Sequence, residues 1–91
     1  MLKSKYIKAE EADYNYASFR RAKAHKEYQT STDTNKSAVA WAEYSTWDET
    51  MKYMKKWISY QGYDVIPDGI VADNDVAYSA YRLRKVPRIF P

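Results

Sequence analysis

The first glycine in the chain is Gly62 and the first proline is Pro67. Everything before them, about two thirds of the 91 residues, lacks both of the residues that punctuate helices and turns most strongly. A stretch of that kind favours long helices. One polar cluster interrupts it, TSTDTN at 30–35, and a second, QGYDVIPDG at 61–69, closes it. The expected layout is two helices joined by a polar connection, followed by a different last third.

The second helix is expected over 36–60. Ala40, Tyr44, Trp47, Met51, Met54 and Ile58 follow one another at steps of three and four, which places them on one helical stripe. Asp33 or Thr34 can cap its start, and Gly62 sits where a helix would end. Asp48 and Glu49 precede Lys52 in the favourable orientation for a helical ion pair. The run TWDE at 46–49 also reads as a capping box, so a short strand over 38–44 with a helix beginning at Trp47 is the competing expectation. The first helix is expected over 8–29, with Ala9, Ala12, Tyr16 and Phe19 as its core stripe and Lys23 snorkelling at the hairpin end. Two such helices make an antiparallel αα-hairpin.

In the last third, YDVIPDGIV places β-branched residues around a Pro-Asp-Gly turn, as a small hairpin or a loop. DNDVAYSAYRLRK offers an Asx cap and then Val76, Ala80 and Leu83 at helical spacing, so a third, shorter helix is expected over 74–85, ending before Pro87. The same residues also alternate as a strand. The expected fold is therefore mostly α, a helical hairpin plus a shorter C-terminal helix in a single domain over 1–91. The alternative is α+β with a small antiparallel sheet. The tail RIFP, with Ile and Phe side by side, is expected to be docked or partner-bound.

Each long helix carries a second apolar stripe. On the second it is Val39, Ala42, Tyr53, Trp57 and Tyr60; on the first it is Tyr14, Ala17, Ala24 and Tyr28. A two-helix hairpin buries one stripe from each partner, and the last third can cover one more. A surplus, tyrosine-rich surface remains, and such surfaces mark interaction sites. Ten tyrosines point the same way, since tyrosine offers contact area and a hydroxyl at low entropic cost. Trp41 falls among Ser45, Asp48, Lys52, Lys55 and Lys56 on the otherwise polar face. It is read either as folded over the end of the first helix or as a binding hot spot. The candidate protein-binding residues are Tyr14, Tyr28, Trp41, Tyr53, Trp57 and Tyr60.

The charge is +3, from 15 basic and 12 acidic residues, too mild to demand a polyanionic partner. Two basic clusters nevertheless stand out: Arg20, Arg21, Lys23 and Lys26 with His25, and Arg82, Arg84, Lys85 and Arg88, with no acid after Asp75. If they share a face, they form a phosphate-binding footprint, which makes nucleic-acid contact the alternative function.

Catalytic chemistry finds little to work with. Cysteine is absent and histidine occurs once, which excludes thiolate metal sites and leaves no zinc set. Two glycines cannot build a phosphate loop or a dinucleotide fingerprint. The paired carboxylates Glu10 with Glu11 and Asp48 with Glu49 are adjacent, so on a helix they diverge by about 100°. Asp68, Asp73 and Asp75 lack the ligand spacing of a calcium loop. No cofactor, metal or small-molecule substrate is expected, and the start of the chain has no apolar signal-peptide core. The expectation is a soluble, cytoplasmic, non-enzymatic protein that binds another protein or itself. Small cysteine-free domains without catalytic groups are common among phage and mobile-element accessory proteins, many of which inhibit a host or defence complex. An inhibitor of that kind is the finer expectation.

Overall fold

Asp33 begins the second helix as the spacing predicts. Its extended backbone (φ −92°, ψ 123°) leaves the carboxylate free to accept from the N–H groups of Asn35, at 2.8 Å, and Lys36, at 3.2 Å. The other end stops at Gly62, whose φ of +88° is left-handed and whose N–H reaches the Ser59 carbonyl at 2.9 Å. Between these caps the helix is unbroken, so the short strand over 38–44 does not form. The computed structural model describes residues 5–87. Its elements are α1 (Lys5–Thr30), α2 (Thr34–Tyr60), β1 (Tyr63–Asp73) and β2 (Val76–Lys85). The tail RIFP and Arg88 lie outside the described residues.

The last third corrects the expected third helix. Residues 76–85 form a strand, paired antiparallel with β1 from Tyr63↔Lys85 to Asp73↔Val76. The α+β alternative describes this architecture: two long helices and a two-stranded antiparallel sheet. Asn74 (φ 49°) and Asp75 (φ 65°) make the two-residue connection, both left-handed as a tight hairpin turn requires. An Asx pair serves a turn as readily as a helix cap, and the local sequence does not separate the two. Pro67-Asp68-Gly69, expected at the turn, instead lies inside β1. The pairing shifts between Pro67 and Ile70, and Gly69 (φ 90°) takes the left-handed place that such a bulge uses.

The sheet lies across the helical hairpin, β2 against α1 and β1 against α2. Ile7, Tyr14, Ala17, Met51, Ile58 and Leu83 form the core, with Trp47, Met54, Tyr63, Val65 and Tyr81 packed around it. The expected α2 stripe is the one that faces inward. For α1 the expectation is reversed. Ala9, Ala12 and Lys23 are exposed and Tyr16 is half exposed, while Tyr14, Ala17 and Ala24 of the second stripe are buried. Apolar residues are scattered around α1, so its own pattern does not choose a face. The strand chooses it.

What β2 needs from α1 is polar. A two-stranded sheet leaves one edge of each strand unpaired. Along the outer edge of β2, Leu83 N–H donates to Glu11 Oε2 at 2.7 Å, and Tyr81 N–H donates to Asn15 Oδ1 at 2.7 Å. The Tyr81 carbonyl accepts from Asn15 Nδ2 at 2.8 Å, and the Ser79 carbonyl accepts from Ser18 Oγ at 2.6 Å. Glu11, Asn15 and Ser18 stand at i, i+4 and i+7, one line along the helix. Two turns further on, Lys26 Nζ donates to the Asp75 carbonyl at 2.5 Å.

Candidate docking face

With its core stripe buried, α2 presents a second line to solvent. Val39, Ala42, Thr46, Thr50, Tyr53, Trp57 and Tyr60 follow at steps of three and four over about 32 Å of helix. The two threonines do not interrupt its apolar character. Thr46 Oγ1 donates to the Ala42 carbonyl at 2.9 Å and Thr50 Oγ1 to the Thr46 carbonyl at 2.8 Å, so both hydroxyls are satisfied on the helix itself. The C-terminal half carries the rings. Tyr53 is 71% exposed, Trp57 59% and Tyr60 85%, and Trp57 stacks on Tyr60 with centroids 6.1 Å apart and planes 5° from parallel.

Charge borders this line on both sides. Lys56 lines a shallow depression with Tyr53, Trp57 and Tyr60, and Lys52 stands one turn before it. Across the line, Glu10 and Asp13 of α1 form a cleft with Met54, Trp57 and Ile58. Glu10 Oε1 accepts from Gln61 Nε2 at 2.9 Å, whereas its Oε2 is buried and has no hydrogen-bond partner among the described residues. Tyr6, one turn before Glu10, is 79% exposed. Sequence reasoning missed Tyr6, Glu10 and Asp13, because it assigned the wrong face of α1 to the core.

The other expected protein-binding residues divide. Tyr14 is corrected: it is 5% exposed, edge-on to Tyr81 at 5.2 Å, and burial first, then the neighbouring Tyr81, pushes its phenol pKa up. It belongs to the core. Trp41 covers α1 as the structural reading expects, with Tyr28 at 5.1 Å and Tyr44 stacked at 5.4 Å, yet it remains about half exposed. Trp41 and Tyr28 thus form a separate aromatic cluster near the helix connection, joined by His25 against Tyr44 at 5.4 Å.

The basic residues are dispersed. Arg21 Nη1 is held by Asp48 Oδ1 at 2.6 Å, and this hydrogen bond is the chief reason the Asp48 carboxyl titrates below its ordinary value. Lys52 lies 3.3 Å from the same carboxylate and 3.5 Å from Glu49; the Asp48 contact is the main cause of its raised pKa. Arg20 packs over Trp47 at 5.4 Å and Tyr16 at 5.9 Å, a cation–π arrangement, and donates to the Tyr16 hydroxyl at 3.0 Å. Lys26, on α1, donates to the Asp75 carbonyl in the hairpin turn. Arg82 and Arg84 flank the buried Leu83 and project from the opposite face of β2, away from α1. Lys23 and Lys85 are exposed. The two clusters therefore do not share a face among the described residues.

No group of three or more His, Asp or Glu side chains is placed to hold a metal ion among the described residues, and no described helix is long and apolar enough to cross a membrane. No family model matches the chain, and neither a curated protein nor a solved structure is significantly similar to it.

Proposed function

We propose that the chain is a non-enzymatic binding module, acting in the cytoplasm, that docks on a protein through the outer line of α2. The observation that carries the reading is the joint exposure of Tyr53, Trp57 and Tyr60 on one helix face, beside a core that uses the opposite face. Tyrosine and tryptophan are the residues that dominate protein interfaces. Covering the three rings would remove roughly 400 Å² from water, on the order of 10 kcal/mol gross at about 25 cal/mol/Å². That is of the same order as the cost of association. A small chain with such a face suits an accessory role, in which docking inhibits a larger complex. The nucleic-acid reading draws less support, because Arg20, Arg21 and Lys26 are already committed to contacts within the fold.

The test is the pair Tyr53→Ala and Trp57→Ala. Each is expected to leave the circular dichroism spectrum unchanged and stability within about 0.5 kcal/mol, as for surface sites generally. Each is also expected to abolish affinity capture of the partner by the tagged chain. Unfolding of both variants would place the rings in the core and remove the basis of the reading.

A further inference from the structure

We infer that the occupant of this face is a second copy of the chain, with the two α2 helices side by side and running in the same direction. The inference rests on the docking-face reading and names its partner. It follows from how charge is disposed about the apolar line. Lys56 and Lys52 lie along one border, Lys52 shared with Asp48 and Glu49 of its own helix and Glu49 standing beside it, and Glu10 and Asp13 of α1 lie along the other. Both borders sit at the level of the same two helical turns, around Tyr53 and Trp57.

A two-fold interface must be complementary to itself. Two arrangements of a helix face against its own copy exist. When the axis runs along the helices, the left border of one copy meets the right border of the other. Lys52 and Lys56 then face the second copy's Glu10 and Asp13, and the pairing occurs twice. When the axis runs across the helices, each border meets its own kind: Glu49 can then face the second copy's Lys56, but Glu10 and Asp13 meet only carboxylates. Juxtaposed like charges are strongly disfavoured at interfaces, so the charge pattern selects the parallel pair. The same arrangement brings an ammonium donor to the side of the fold where Glu10 Oε2 has no hydrogen-bond partner among the described residues. Tyr53 and Trp57 would meet their own copies across the axis, as aromatic anchors tend to pair at interfaces.

Sedimentation equilibrium on the full chain is expected to give twice the 10.7 kDa of one copy in the micromolar range. Lys52→Glu with Lys56→Glu should weaken the dimer at least about tenfold, as should Asp13→Lys. An equimolar mixture of the two proteins should restore it as a heterodimer. The chain has no cysteine, so Val39→Cys supplies a single thiol for cross-linking. Two parallel helices in register hold these thiols within disulfide reach, whereas antiparallel ones centred on Tyr53 and Trp57 separate them by about 45 Å. Ready oxidation to a covalent dimer is expected. A monomer at every concentration up to about 1 mM, a free energy of association weaker than about 4 kcal/mol, would overturn the second-copy assignment. It would leave the docking face to be judged by the capture experiment. A dimer that resists Val39→Cys cross-linking overturns the parallel arrangement, and a dimer insensitive to Tyr53→Ala and Trp57→Ala overturns the docking face itself.

Discussion

Asp48 shows how much work one side chain does between the helices. It accepts from Arg21 on α1 and lies beside Lys52 on its own helix. Because its folded pKa is depressed, it contributes stability above its unfolded value of about 3.9, and that contribution is lost as pH falls through the folded value. The pair is partly exposed, so its worth is about 0.2–1 kcal/mol. Asp48→Asn is expected to lower stability by that amount at neutral pH and to make the acid limb of the pH–stability curve shallower. Urea titrations from pH 7 down to about 2 would show whether the two proteins converge below the carboxylate range. Tyr14 works in the opposite direction. Its raised pKa means that it stabilises the fold below about pH 10 and ceases to do so once alkali ionises it in the folded state.

At the scale of elements, α1 is less an amphipathic helix than a polar mount for a strand. Asn15 carries the most weight in it, since its amide both accepts from and donates to the Tyr81 backbone. Asn15→Ala removes both bonds and leaves a half-buried peptide group without partners. A loss of about 1–3 kcal/mol is expected, measured by urea denaturation. This arrangement also explains what the sequence could and could not reveal. α2 was legible from end to end, because Asp33, Gly62 and the Ala40–Ile58 stripe are local signals that agree with one another. The outer line of α2 was legible for the same reason. β2 was not, because Val76, Ala80 and Leu83 fit a helix as well as a strand and its outer edge is completed by side chains more than sixty residues away. Nor was the buried face of α1, since Glu11, Asn15 and Ser18 do not resemble core residues until a strand edge lies against them.

The whole molecule is long and thin, 57 × 22 × 21 Å with a radius of gyration of 15.5 Å, against about 13 Å for a compact domain of 100 residues. Its core is correspondingly narrow, and Ile58 and Leu83 are the large side chains most completely enclosed among the described residues. Ile58→Ala is therefore expected to cost about 2–5 kcal/mol. A chain of this size has roughly 5–13 kcal/mol in total. The midpoint of thermal unfolding should drop by about 8 °C or more, at about 4–8 °C per kcal/mol, while Tyr53→Ala on the same helix leaves it in place at concentrations low enough to keep the chain monomeric. That contrast separates the two faces of α2 in one experiment. The polar line on α1 also affects how the chain avoids misassembly. An isolated two-stranded hairpin with an internal bulge has several alignments of similar energy, and little within it to choose among them. Sliding β2 past α1 by one residue would present side-chain acceptors to carbonyls and donors to N–H groups, with each mismatch leaving a polar group stranded. The helix thus acts as a template that rejects a one-residue slip of the strand, while the burial of Leu83 opposes a slip of two.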